Sequence, residues 1–312
     1  MKKSKYASID IGSNTIRLLI LEEPLKKEEK ILVNQVRTVR LGRNLETEKK
    51  IPEERLAAAE KVFHEYNEII KQHEIITVVS AATESVRKAE NKDELLLIFE
   101  KVFGFKPEII SGVQEAEVLK EANLEFVKIY GKFLLFDIGG GSTEFITESP
   151  KKIKSSSVPI GVLRMLEKYF KGEIRLEEKR YIEIIEEIQN EIRGSLTQVL
   201  EDEIPVIGTG GTVTTLICVF KGLKEYNHLK VHHSHIPVEE IEIILDTLNA
   251  LDLEGRRKLI GVDPDRADIL IPGILIVLAV LRLTKQQKLI VSDKGMLFGL
   301  IYKYIKENKG VG

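Results

Sequence analysis

The sequence predicts an α/β protein built as two related lobes that face each other across a cleft. Three observations carry this. Strand-like runs of Ile, Val, Leu and Thr alternate with amphipathic helical stretches. A length of 312 residues suits two ordinary domains. Most tellingly, Asp10-Ile11-Gly12-Ser13-Asn14-Thr15 returns as Asp137-Ile138-Gly139-Gly140-Gly141-Ser142-Thr143, with the two aspartates 127 residues apart. A repeat at that scale points to duplicated lobes offering the same turn to a shared ligand. The expected division is 1–128 and 129–312, with residues 295–312 able to pack back on the first lobe.

The elements follow in order. Tyr6 to Ile11, Arg17 to Leu21 and Ile31 to Val39 read as a hairpin and a third strand, with Gly12-Ser13-Asn14 as the first turn. Pro52 opens a helix running to His73, because Leu56, Ala59, Val62, Phe63, Tyr66, Ile69 and Ile70 fall at helical spacing. Strands are expected at Ile75–Val79 and Pro107–Ile110, and helices at Asp93–Phe103 and Val113–Lys128. The second lobe restarts at Gly131 with strands at Phe133–Asp137, Glu144–Thr147 and Ile153–Val158. Helical insertions follow at Leu176–Leu200, Val238–Leu251 and Pro272–Leu283, with strands at Pro205–Ile207 and Leu289–Ser292 and a closing helix at Gly295–Asn308.

Composition narrows the function classes. Hydrophobic residues make up 43% and charged residues 31%, the balance of a folded soluble protein. A net charge of -2 disfavours partners such as nucleic acid or an anionic membrane, which demand a broad cationic excess. The longest apolar stretch, Ile269 to Leu281, holds Pro272 and Gly273 and is too short for a membrane span. The basic start Met1-Lys2-Lys3-Ser4-Lys5 does not continue as a secretory signal, so the cytoplasm is expected. The single Cys218 sits in an apolar run and reads as a buried, inert thiol. A homodimer is compatible with this composition.

Glycine turns let backbone N–H groups approach phosphate oxygens, and Ser and Thr hydroxyls add donors. Asp10 and Asp137 would repel phosphate directly, so their sensible role beside such turns is to hold Mg²⁺. A third cluster, Gly208-Thr209-Gly210-Gly211-Thr212, stands between a short strand and an apolar helix, where helix N-terminal amides can receive an anion. It lacks the Gly-Lys-Ser/Thr ending of a Walker A loop and the dinucleotide fingerprint. His228, His232, His233 and His235 admit two readings, a zinc site or a polar interdomain or substrate-facing loop. Arg17 and Arg266 could contact phosphates or form surface ion pairs.

At the three glycine segments the sequence resembles the exopolyphosphatase/guanosine pentaphosphate phosphatase (Ppx/GppA) family, of the actin, Hsp70 and sugar-kinase superfold. Two further segments separate it from actin and Hsp70: Ser80-Ala81-Ala82-Thr83-Glu84-Ser85-Val86-Arg87 and Ser111-Gly112-Val113-Gln114-Glu115-Ala116. Ser292-Asp293-Lys294-Gly295 is similar to the family's last motif. The resemblance implies two ribonuclease H-like, actin-like lobes with an interdomain cleft, the second carrying helical insertions.

It further implies a hydrolase that releases terminal phosphate from polyphosphate or from guanosine pentaphosphate. Glu115 would be the general base and Arg87 would face phosphate. Asp137, Glu144 and Asp10 would hold Mg²⁺ or another divalent cation. Gly12, Ser13, Asn14, Thr15, Gly139, Gly140, Gly141, Ser142, Thr143, Gly208, Gly210 and Gly211 would bind phosphates. The alternatives are an ATP-dependent phosphotransferase of the same superfold and a nucleotide-sensing binding protein with little turnover. The chain ends soon after Asn308, without the extra C-terminal helical domains of longer family members, so the sequence leaves processive handling of long polymers open.

Overall fold

Alternating apolar side chains in the opening residues dictate a strand buried on both faces, and the structure builds its first sheet on it. The computed structural model describes residues 4–26, 29–149, 152–171, 175–196 and 204–309. In chain order the elements are β1 (Lys5–Ile11), β2 (Thr15–Glu22), β3 (Lys30–Thr38), α1 (Leu45–Glu48), α2 (Glu53–Gln72), β4 (Val78–Ala82), α3 (Glu84–Lys88), α4 (Lys92–Phe103), β5 (Glu108–Ile109) and α5 (Gly112–Ala122). Then come α6 (Leu124–Tyr130), β6 (Phe133–Ile138), β7 (Thr143–Ser149), β8 (Lys152–Val158), α7 (Val162–Met165) running into a π-helical turn, α8 (Glu178–Leu196), β9 (Val206–Thr209) and α9 (Gly211–Phe220). The last are α10 (His228–Val231), β10 (His235–Pro237), α11 (Val238–Ala250), α12 (Leu253–Arg257), α13 (Leu270–Leu283), β11 (Lys288–Val291) and α14 (Met296–Lys309).

The chain divides into two compact units, one formed by Met1–Ala122 with Met296–Gly312 and the other by Asn123–Gly295. The first holds a sheet ordered β3-β2-β1-β4-β5, antiparallel through β3-β2-β1 and parallel through β1-β4-β5. The second repeats that plan as β8-β7-β6-β9-β11 and adds β10 antiparallel to β11. In the first unit, Ile9, Ile11, Ile16 and Leu18 pack with Phe63, Tyr66 and Phe99 of α2 and α4. On the opposite face Tyr6, Leu19 and Leu21 pack with Leu297, Phe298 and Ile301 of α14. The period of two along β1 and β2 thus splits the side chains between two helical layers. In the second unit the apolar α13 is buried along its length, its residues Leu270 to Leu281 joined in one core with Phe136, Ile184 and Leu216. Among the described residues, no helix is long and apolar enough to cross a membrane.

Some expected elements moved. The strand expected at Ile75–Val79 lies at Val78–Ala82, because pairing with β1 continues to Ile11↔Ala82 while Ile76 is 97% exposed. The helix expected over Val113–Lys128 breaks at Asn123. That side chain is buried; its amide donates to the Lys294 carbonyl at 2.8 Å and its oxygen accepts from Ser292 Oγ at 2.5 Å. Residue 128, the expected domain limit, falls inside α6 of the second unit. Of the helix expected at Leu176–Leu200, residues 197–200 lie outside the described residues. The histidine segment is only partly a loop: His228 opens α10 and His235 begins the edge strand β10, while His232 and His233 lie in the turn between them.

Candidate active site

The repeated sequence folds into two copies of one turn. In the first unit β1 and β2 pair as Asp10↔Arg17 and Ile11↔Ile16, and the Gly12 N–H donates to the Thr15 carbonyl at 3.0 Å. In the second unit β6 and β7 pair as Asp137↔Glu144 and Ile138↔Thr143, and the Gly139 N–H donates to the Ser142 carbonyl at 2.9 Å. Every corresponding position keeps the 127-residue offset of the aspartates. Each turn is braced by the segment after the third strand of its hairpin. The Gly42 N–H donates to the Ser13 carbonyl at 2.8 Å, and a Cβ on Gly42 would stand 2.8 Å from Ser13 Cβ. The Val162 and Leu163 amides donate to the Gly139 and Gly140 carbonyls, and a Cβ on Gly161 would stand 2.5 Å from the backbone of Gly140 and Gly141. Gly42 and Gly161 escaped sequence reasoning because only the folded contact shows why they must be glycine.

The two turns differ in charge. In the first, the Arg17 guanidinium donates to Asp10 Oδ2, with Nε at 2.9 Å, and Asp10 is buried. Asp10 Oδ1 and Asn14 Oδ1 are buried without a hydrogen-bond partner in the structure. In the second, two carboxylates face each other in register, and both Asp137 and Glu144 are buried. Glu144 Oε1 accepts from the Ser142 and Ser157 hydroxyls, each at 2.7 Å. Ser157 was not singled out in the sequence.

Beside Asp137 the chain leaves β9 through Gly210, at φ +93°, a conformation for which only glycine is unstrained. A Cβ there would collide with Asp137 Oδ1, so the missing side chain is what lets the strand end pack against that carboxylate. The residues present fit a divalent cation: two in-register carboxylates, with hydroxyls beside one of them, form a hard oxygen donor set.

The rest of the glycine cluster divides its work. Gly208 lies inside β9, where a Cβ would stand 2.9 Å from Phe136 Cζ and from Val213 Cγ2, so core packing accounts for it. Gly211 opens α9, and a Cβ there would collide with the Arg266 guanidinium. Arg266 pairs with Asp263 at 3.4 Å and so stands at the N-terminal end of α9.

In the first unit Glu115 sits near the start of α5 and is 7% exposed. Ser111 and Gln114 already cap that helix: the Ser111 N–H donates to Gln114 Oε1 at 2.8 Å, and the Gln114 N–H donates to Ser111 Oγ at 3.2 Å. Arg87, on α3, donates to the carbonyl of Ile110, directly before that cap. It thereby ties the segment that launches Glu115.

The histidines gather elsewhere in the second unit. Oxygen or nitrogen atoms of Glu125, His232 and His233 lie within 4.8 Å of one another. The Asp293 N–H donates to His232 Nδ1 at 3.2 Å, which leaves the ring proton on Nε2, donated to Glu125 Oε1 at 2.9 Å. Neither nitrogen of that ring is left to ligate zinc. Burial works to raise the Glu125 carboxyl, but the His232 hydrogen bond and the Lys294 charge draw it below the usual range. Burial, then neighbouring His232, lowers His233. His228 Nδ1 is 2.6 Å from Asp293 Oδ2, and the Tyr226 hydroxyl donates to the other oxygen of that carboxylate.

The chain is 31% identical to the bifunctional 3-dehydroquinate synthase/phosphatase of Fusobacterium nucleatum over 97% of its length, spanning 47% of that relative. It is 27% identical to exopolyphosphatase 2 of Mycobacterium tuberculosis, covering 96% of this chain and 98% of the relative. Among solved structures, the Aquifex aeolicus member of the Ppx/GppA protein family superposes with a TM-score of 0.81 at 29% identity, covering 98% of this chain and 99% of that one. The two α/β units with their mixed sheets thus have the expected actin-like plan. Residues 24–308 match the Ppx/GppA phosphatase family as a whole, and the chain belongs to that family.

Proposed function

We propose that the chain is a phosphohydrolase that releases terminal phosphate from inorganic polyphosphate or from guanosine pentaphosphate. The observation that carries this is the duplicated glycine turn, whose second copy sets Asp137 and Glu144 in register. Its names among relatives agree: one is an exopolyphosphatase and another, from Vibrio parahaemolyticus, a guanosine-5'-triphosphate,3'-diphosphate pyrophosphatase.

In this reading Asp137 and Glu144 hold Mg²⁺, which when bound neutralises phosphate charge and supplies electrostatic stabilisation. Backbone N–H groups of Gly12 to Thr15 and of Gly139 to Thr143 take phosphate oxygens, as do those of Gly210 and Gly211. Glu115 accepts a proton from the attacking water. Its burial near the start of α5 supports that role, since a buried carboxylate costs folding energy that a function would offset. Arg87 spends one donor on the Ile110 carbonyl and offers the rest of its five-donor fork to a phosphate oxygen. Such positioning plus electrostatics is what phosphoryl transfer requires. Inorganic phosphate release from the two substrates in parallel, with and without Mg²⁺ and without added ATP, tests the reading. A strict need for ATP would turn it into the phosphotransferase alternative.

A further inference from the structure

We infer that Arg17 is the resident cation of the first turn, so that the chain holds one divalent ion, at Asp137 and Glu144, and none at Asp10. The inference rests on the metal assignment proposed above.

The two turns form a natural comparison. They share strand register, turn hydrogen bond and the 127-residue offset, and position 17 in the first corresponds to position 144 in the second. The first turn pairs a carboxylate with a guanidinium, and the second pairs two carboxylates. A guanidinium stays charged at any pH at which the protein folds. With two of its nitrogens on Asp10 Oδ2, the pair is already neutral. A dication at Oδ1 would stand within a few ångströms of a fixed positive charge in a buried setting, where screening is weak. The remaining oxygen, buried and unpartnered, instead suits a neutral donor such as water. One consequence is that the first turn keeps its resident cation after chelation, while the second turn loses its own.

The test counts bound Mn²⁺ on the full chain by electron paramagnetic resonance and calorimetry, without reference to turnover. Wild type should bind one tight equivalent. Asp10→Asn should leave the affinity within about threefold, whereas Glu144→Gln should weaken it at least about tenfold. Arg17→Glu rebuilds the acidic pair of the second turn in the first, and should raise the stoichiometry to two. Two equivalents in wild type would overturn the inference. So would a tenfold loss in Asp10→Asn, or a folded Arg17→Glu that still binds one. Should Arg17→Glu not fold, the Asp10→Asn titration decides alone. An absence of Mn²⁺ binding to wild type would instead remove the second-turn metal site itself, which separates failure of the underlying reading from failure of the role given to Arg17.

Discussion

Glu115 shows how much a single residue depends on its surroundings for meaning. As one of 49 acidic residues it says nothing in isolation, and near a helix start it would pass for a dipole-compensating charge. The structure gives the capping to Ser111 and Gln114 and buries Glu115. Glu115→Gln should therefore cut turnover by ~10²–10⁴-fold while substrate affinity and melting temperature stay near wild type. Steady-state kinetics with thermal melts of the purified variant check this, and a rate within about threefold of wild type would remove Glu115 from the mechanism. Gly210 makes a second residue-scale prediction. Gly210→Ala asks an L-residue to hold φ +93° and drives its Cβ against Asp137. It should cost roughly 1–3 kcal/mol in urea denaturation and weaken Mn²⁺ binding together. Loss of stability alone, with metal affinity intact, would argue against a role for this contact at the metal site.

At the scale of elements, close approach is written in glycines whose purpose the sequence hides. A Cβ on Gly299 of α14 would collide with the Val118 carbonyl of α5, whereas a Cβ on Gly194 of α8 would meet nothing within 4 Å outside its own helix turn. Gly299→Ala should destabilise by about 1–3 kcal/mol, and Gly194→Ala should stabilise by up to about 1 kcal/mol. Paired denaturation curves distinguish the two, and equal effects would deny the close crossing. The clamp of α6 on the segment between α10 and β10 gives a pH dependence. His233 is lowered, so the unfolded chain binds more protons around pH 6 than the folded one. Its contribution is present above its unfolded value of about 6.5 and fades as pH falls through the lowered folded value. Glu125, also lowered, adds a second loss at more acidic pH, below its unfolded value of about 4.3. Stability should therefore rise from pH 5.5 to 7.5, and His233→Asn should flatten that rise. An unchanged slope in the variant would show that other groups cause it.

For the whole molecule, the parts legible in the sequence were those written locally. Asp-Ile-Gly recurs because the same hairpin is built twice, and the strand order confirms the duplication. The helix over Glu53–Gln72 announced itself through its apolar stripe. What stayed hidden is tertiary. Ile75-Ile76 looked like the heart of a strand, but β-pairing favoured the small residues Ser80-Ala81-Ala82. Asn123 interrupts a continuous helical pattern because Ser292 and Lys294, far away in sequence, hold its side chain. Arg17, Ser157, Gly42 and Gly161 act on the turns through contacts that no spacing rule reveals.

The central claim is hydrolysis at these turns, and phosphate release measures it most directly. Purified chain with Mg²⁺ and no ATP should liberate inorganic phosphate from polyphosphate, guanosine pentaphosphate or both, and exhaustive chelation should reduce release to background. No release from either substrate at saturating Mg²⁺, or full release after chelation, would contradict the account.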